Sequence, residues 1–184
     1  LYSNGLESCH EYNNISNPSA VEEIHRAYIE AGADIIQTNT YAAKKCQLKT
    51  YGYEDKFEEI NIRAAEIARS AAGEKTFVLG TIGAIRGLRE CELTLEAIVN
   101  ETLDQVKVLL STEKIDGLLF ETYYDQEEIR TILPEVRKLT DLPIITNISL
   151  LEAGITQNGE KVTDALSTLV NLGADIVGLN CHLG

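Results

Sequence analysis

Five short apolar runs alternate with amphipathic helix patterns along the chain, and this alternation constrains the fold more than any other feature. The cores of the runs lie at residues 35–38, 78–82, 118–121, 144–147 and 176–179. Short runs that are apolar throughout are typical of strands buried on both faces of a parallel sheet. Because a helix separates each predicted strand from the next, the sequence predicts an α/β fold with parallel strands.

Residues that favour helix N-termini precede several of these helices. Four N-caps are predicted, at Asn17, Thr94, Asp125 and Thr163. Pro18 would occupy the first helical position after Asn17, and Glu128 would complete a capping box with Asp125. One short word also recurs where a helix gives way to a strand, as GADII at 32–36 and GADIV at 173–177.

Two parallel architectures are open at this point, a doubly wound sheet and a (β/α)8 TIM barrel. The sequence contains neither nucleotide-binding fingerprint of the doubly wound sheet, GxGxxG or GxxxxGK[ST]. Each predicted strand ends in polar residues, as barrel strands do where they build an active site. These ends are Thr38-Asn39, Thr81, Glu121-Thr122, 147–149 and Asn180-Cys181. The barrel is therefore favoured, and since a complete barrel usually needs about 250 residues, residues 1–184 would form an incomplete set of about five βα units.

The charge balance and the cysteines limit the class of protein. The chain carries 29 acidic and 16 basic side chains, a formal net charge of −13, so nucleic acid and anionic membranes are not expected as partners. No apolar run approaches the ~20 residues of a membrane helix. The cysteines Cys9, Cys46, Cys91 and Cys181 form no CxxC motif, which indicates reduced thiols and a cytoplasmic protein. Because the chain lacks methionine and begins at Leu1, we expect it to be part of a longer protein.

Glu121 is the first candidate for chemistry, because it places a carboxylate directly after the apolar run DGLLF. A charge in that position costs free energy unless it is paired. The carboxylate would bind a cationic ligand group, such as the ammonium of an amino acid, or it would form a structural ion pair with a lysine or arginine. The residues alone leave both interpretations open.

Cys181 is the second candidate, at the equivalent end of the last predicted strand. It would be a small core residue, a nucleophile or a zinc ligand. A catalytic zinc site usually takes three protein ligands, and His182 is a poor second ligand because adjacent strand residues point to opposite faces. His25 and Cys46 are predicted to be structural, and Cys91 is a weak site candidate in the loop 83–93.

Four words of the sequence resemble those of the homocysteine S-methyltransferase domain in their order and spacing: HRAYIEAGADIIQTNTY, VLGTIGAIRG, DGLLFETYYD and GADIVGLNCHLG. The resemblance covers nearly all 184 residues. It is greatest to the N-terminal half of bacterial bifunctional homocysteine S-methyltransferase/methylenetetrahydrofolate reductases. It implies a zinc-dependent (β/α)8 TIM barrel that methylates homocysteine to methionine.

The resemblance also assigns roles to individual residues. Cys181, in the G-x-N-C word, would bind zinc, and Glu121, in the F-E-T word, would bind the amino group of homocysteine. Thr38 and Asn39 would line the same pocket. Zinc would hold the homocysteine thiol deprotonated for attack on a small-molecule methyl donor. The sequence does not identify this donor. FAD and folate would be cofactors only if a reductase half follows.

The first strand of the family and its paired zinc cysteines would lie outside these 184 residues. With Cys181 as one ligand of three, we expect residues 1–184 alone to bind no stoichiometric zinc. Two alternatives are a different barrel enzyme, of the aldolase or pterin-binding methyltransferase type, and a non-catalytic structural fragment. The aldolase type needs a Schiff-base lysine, and no lysine stands at the five predicted strand ends. The oligomeric state is open.

Overall fold

The computed structural model describes residues 9–87 and 92–181. Its strands are β1 (Ile35–Gln37), β2 (Phe77–Gly83), β3 (Gly117–Tyr123), β4 (Ile144–Ile148) and β5 (Ile176–Leu179), so the five predicted strands are confirmed. The α-helices are α1 (Asn13–Ser16), α2 (Pro18–Glu30), α3 (Lys45–Leu48), α4 (Phe57–Ala72), α5 (Leu95–Ser111), α6 (Gln126–Arg137) and α7 (Val162–Asn171). Within the described ranges, none of these helices is long and apolar enough to span a membrane.

The chain divides into two compact units, of which the first comprises residues 1–81 and 105–116. In this unit β1 pairs in parallel with β2, and Ile36 lies opposite Val78. Helices α2 and α4 pack against each other. A cluster of buried side chains forms part of the core, with the members Cys9, Ala43, Leu48, Phe57 and Ile60.

The second unit comprises residues 82–104 and 117–184. Its strands β3, β4 and β5 pair in parallel and lie side by side in chain order. Phe120 of β3 lies opposite Thr146 of β4, which in turn lies opposite Val177 of β5. Because parallel strands end at the same edge of a sheet, this register brings the polar residues after β3 and β5 together.

The helix starts follow the predictions at three of four positions. Asn17 occupies the N-cap position of α2, although its side chain makes no capping hydrogen bond. The Thr94 hydroxyl accepts the N–H of Ala97 at 3.2 Å, and the Asp125 carboxylate accepts the N–H of Glu127 at 2.9 Å. The prediction for Thr163 is wrong: α7 begins at Val162 and its N-cap is Lys161. The helix starts early because the Lys161 carbonyl already accepts the N–H groups of residues 164 and 165, at 3.0 and 3.1 Å.

Glu128 makes a contact that the capping-box prediction did not include. Its fully buried carboxylate accepts the backbone N–H groups of Ile85 and Arg86, both at 2.8 Å. The Arg86 side chain in turn pairs with Asp125 at 2.9 Å. The first turn of α6 therefore holds the segment that follows β2.

The repeated word GAD marks the same helix-ending turn in both units. In each turn the glycine has a positive φ, +101° at Gly32 and +110° at Gly173. The following alanine N–H bonds to the carbonyl five residues back, at 3.0 Å from Ala33 to Tyr28 and at 3.1 Å from Ala174 to Leu169. This is the 6→1 bond of a Schellman motif, so the recurrence of the word has a structural cause.

Each unit also contains an Arg–Asp pair that braces the start of a strand. In both pairs the aspartate accepts a backbone N–H from that strand as well as an arginine hydrogen bond. The pairs are Arg69–Asp116, with the N–H of Val78 at 2.7 Å, and Arg137–Asp175, with the N–H of Ile144 at 2.8 Å. Since carboxylates that accept both kinds of donor are strongly held, these pairs fix the ends of the strands opposite the polar residues.

We expect Gly173→Ala to destabilise the fold more than Gly32→Ala. Both variants place a side chain at positive φ, which costs roughly 1–2 kcal/mol. A Cβ at Gly32 meets no atom within 4 Å, whereas a Cβ at Gly173 meets Cβ and Cγ of Arg137 at 3.3 Å. Urea unfolding should therefore show a loss of about 1 kcal/mol at Gly32 and about 2–3 kcal/mol at Gly173. Equal losses would mean that Arg137 moves aside freely.

Candidate active site

The end of β3 carries a β-bulge at the predicted site. Phe120 lies opposite Thr146, but Tyr123 lies opposite Ile148, so β3 holds one extra residue between these two pairs. Within it, Thr122 has a φ of +62°. For a β-branched residue this conformation is an outlier, and it costs on the order of 1–3 kcal/mol. Bulges next to active sites redirect side chains, and this one sets the directions of Glu121 and Thr122.

Glu121 is half-buried, and its carboxylate forms no ion pair with the residues that the structure describes. Burial raises the pKa of its carboxyl, and a hydrogen bond from Asn180 Nδ2 at 3.4 Å partly offsets that rise. Across residues 9–87 and 92–181, no lysine or arginine forms an ion pair with this carboxylate. The structural ion pair considered above is therefore not formed there, and the carboxylate can receive a cationic ligand group.

Asn180 links the ends of β3 and β5. Its Nδ2 donates to Thr122 Oγ1 at 2.8 Å and lies 3.4 Å from Glu121 Oε1 and 3.7 Å from Cys181 Sγ. The end of β4 holds its backbone, because the Ser149 hydroxyl donates to its carbonyl at 2.9 Å and its N–H bonds to Ile148. Its Oδ1 is buried and accepts no hydrogen bond from the described residues. One amide thus contacts both predicted site residues.

Cys181 is an exposed free thiol, so its interpretation as a buried core residue is wrong. It follows the end of β5 and has a φ of +57°. Its sulfur lies 3.7 Å from Thr122 Oγ1. A thiol in this position fits zinc, which favours soft sulfur ligands. The described residues contain no group of three or more His, Cys, Asp or Glu side chains that could hold a metal ion, and the zinc-binding role of Cys181 stays a prediction.

Thr38 and Asn39 lie in the first unit, where both make hydrogen bonds within that unit. The buried Thr38 hydroxyl accepts the N–H of Thr81 at 3.0 Å. Asn39 Nδ2 donates to the His10 carbonyl at 2.8 Å and to Asn14 Oδ1 at 3.0 Å. These bonds fix the chain after β1, and the predicted contact of the two residues with homocysteine stays a prediction.

The remaining cysteine and histidine candidates are structural where the structure describes them. His25 is buried within α2, and its burial lowers the pKa of the imidazole. Cys9 is buried in the core cluster of the first unit, and Cys46 is half-buried in α3. Cys91 and His182 lie outside the described residues.

Sequence reasoning missed Thr122 and Asn180 as members of the site. Both stand directly beside a predicted site residue, and both belong to the polar strand ends that favoured the barrel. Their role depends on the bulge in β3, because the bulge turns the Thr122 hydroxyl toward Asn180 and Cys181.

Comparison with known proteins identifies the family. The sequence model of the family described as homocysteine S-methyltransferase matches residues 2–183. The chain belongs to this family. Among curated proteins, this homocysteine S-methyltransferase domain is 31% identical over 191 residues to the methionine synthase of Mycobacterium leprae and 30% identical to that of Mycobacterium tuberculosis. In each case the match covers 98% of this chain and 16% of the relative, so the chain spans about a sixth of those proteins.

A solved structure shows the same fold. The metallated form of the homocysteine methyltransferase MmuM from Escherichia coli superposes with a TM-score of 0.84 at 22% sequence identity, covering 97% of this chain and 68% of that one. The family model confirms the family predicted from the sequence, and this superposition confirms the predicted α/β fold. The reductase half stays a prediction.

Proposed function

We propose that the complete protein transfers a methyl group to the sulfur of homocysteine and so forms methionine, and that this domain binds homocysteine. One observation carries the proposal: a half-buried carboxylate, which forms no ion pair among the described residues, and an exposed thiol both contact the amide of Asn180. A site for homocysteine needs an anion for the ammonium and a place for the sulfur. The family match and the matches to two methionine synthases support the same conclusion.

Glu121 is proposed to bind the homocysteine ammonium. The charged form of a half-buried carboxylate is disfavoured by desolvation, which is the cause of its raised pKa here. An ammonium beside it offsets that penalty, because charge-assisted hydrogen bonds are the strong ones. A cationic ligand would therefore supply the counter-charge that the described residues do not give Glu121.

Cys181 is proposed to be one zinc ligand, with the other ligands contributed by parts of the protein outside the described residues. When bound, zinc would supply the positive charge that keeps a thiol deprotonated at neutral pH. The transfer itself balances simply: the homocysteine sulfur forms a bond to the methyl carbon, and the donor leaves with the electron pair of its own bond. The thiol proton passes to solvent. Glu121 holds the amino acid in place during this displacement.

The methyl donor is proposed to be a small molecule, and the residues of this domain do not identify which one. The cytoplasmic location and the roles of Thr38 and Asn39 in homocysteine binding remain predictions of the sequence. FAD and folate enter only with a reductase half.

An assay with labelled methyl donors tests the proposed function. We expect the purified complete protein to form deuterated methionine from homocysteine and one of three CD3-labelled donors: a methyl-sulfonium compound, betaine, or methyl-folate with a corrinoid. Mass spectrometry measures the product, and cysteine in place of homocysteine is the control, since its shorter chain separates sulfur and ammonium differently. A folded, zinc-loaded protein that forms no methionine with any of these donors would contradict the proposal.

A further inference from the structure

We infer that Thr122 is a positioning residue whose hydroxyl, held by the amide of Asn180, donates a hydrogen bond to the sulfur of Cys181 and fixes its direction. The inference rests on the proposed function, because it takes Cys181 as a zinc ligand. It adds two residues to the site, and neither belongs to the set assigned from the sequence.

The direction of the hydrogen bonds follows from what each group can do. Asn180 Nδ2 faces the Glu121 carboxylate at 3.4 Å, and an ionised carboxylate only accepts. The nitrogen of the amide, not its oxygen, therefore lies on this side. The same nitrogen lies 2.8 Å from Thr122 Oγ1, so the hydroxyl oxygen accepts there.

A threonine hydroxyl has a single hydrogen to donate. With its oxygen accepting from Asn180, the other described contact of Thr122 Oγ1 is Cys181 Sγ at 3.7 Å, which is within reach for a sulfur acceptor. The zinc-binding form of Cys181 is the thiolate, which has no hydrogen to donate, so in the zinc-bound protein the hydrogen of Thr122 points to the sulfur. The result is a short relay from the amide through the hydroxyl to the thiol, and Nδ2 itself also lies 3.7 Å from Sγ.

The backbone supports this relay at both ends. Among the described residues, three that are not glycine have a positive φ: Glu113, Thr122 and Cys181. Two of these three contact each other at the site. Strained conformations persist where the surroundings over-determine them. At this site the bulge in β3 fixes the backbone of Thr122. The hydrogen bonds with Ile148 and Ser149 fix the backbone of Asn180, which directly precedes Cys181.

Hydrogen bonds to a metal ligand orient it and tune its binding, and removal of such a partner typically costs about 10–100-fold in metal affinity or activity. The pair Thr122→Ser and Thr122→Ala isolates this effect. Both variants remove the β-branch at positive φ, so they change the backbone strain alike, and serine alone keeps the hydroxyl.

We expect Thr122→Ala to weaken zinc binding by the complete protein about 10–100-fold, and Thr122→Ser to stay within about threefold of the wild type. Competition with a chromophoric chelator measures the zinc Kd. The thiolate-to-cobalt charge-transfer band of the Co²⁺-substituted protein should shift in Thr122→Ala and be retained in Thr122→Ser. The KM for homocysteine should change little in both, because Glu121 is intact.

Asn180→Ala provides a second route if Thr122→Ala fails to fold. It should weaken zinc binding as well, and the double variant should lose less than the sum of the single losses, because the two groups act in one relay. Equal zinc affinity of Thr122→Ala and Thr122→Ser would overturn the inference, and so would additive losses. Tight zinc binding with the expected Thr122 effect but without methionine formation would uphold the inference and refute the proposed reaction.

Discussion

Glu121→Gln is expected to raise the KM for homocysteine at least about 30-fold, because loss of one partner from a desolvated charge pair typically costs 2–5 kcal/mol. Glutamine has nearly the same shape as glutamate but no charge, so the ammonium would lose its counter-ion while the packing around Phe120 and Thr122 is retained. The zinc content should be unchanged, since Glu121 contacts Asn180 and not the sulfur. Steady-state kinetics at saturating methyl donor, with metal analysis, measure both quantities.

The pH dependence separates a binding role of Glu121 from a structural one. Because burial raises the pKa of this carboxyl, the wild-type KM should rise as the pH falls through the raised value, where protonation removes the negative charge. The KM of Glu121→Gln should be flat over the same range. If the KM of both proteins depended on pH in the same way, Glu121 would have a structural role and not a binding role.

The stability of the same variant should change in the opposite sense to its binding. A carboxyl whose folded pKa is raised stabilises the fold below its unfolded pKa, and that contribution is lost as the pH rises through the folded pKa. At neutral pH the ionised Glu121 therefore disfavours the fold. Glu121→Gln should unfold at a higher temperature than the wild type at pH 7, and a lower Tm would contradict this effect of burying the carboxylate.

The strands could be predicted because strands of a parallel sheet are apolar along their whole length. In β3 this pattern coincides with burial, whereas the equally apolar run 176–179 forms β5, whose residues are exposed or half-buried among the described residues. The exact start of α7 could not be predicted, since it depends on the Lys161 carbonyl and not on the capping preference of Thr163. Local preference identified the helix, and the preceding loop determined its first residue.

In the candidate site, too, some features could be predicted from the sequence and others could not. Glu121 and Cys181 were predictable because a carboxylate and a thiol at strand ends suggest chemistry by residue type alone. The contact between Thr122 and Asn180 joins residues 58 positions apart, and it requires a threonine at a φ of +62°. Residue preferences argue against that conformation, so no pattern in the sequence points to it. The register of three strands and one bulge creates the contact.

Cys181→Ser is expected to abolish zinc binding and methyl transfer together in the complete protein, with activity falling at least about 1000-fold. The change replaces one atom, but a serine hydroxyl stays protonated at neutral pH, whereas the thiolate is the form of cysteine that binds metals. The fold should persist, because Cys181 is exposed and lies after the end of β5, and circular dichroism checks this. Cys46→Ser is the matched control, since that half-buried cysteine lies in α3 of the first unit, and it should keep full zinc content and activity. Full zinc occupancy in Cys181→Ser would refute the role given to Cys181, and a loss of zinc in both variants would point to a general effect of thiol removal.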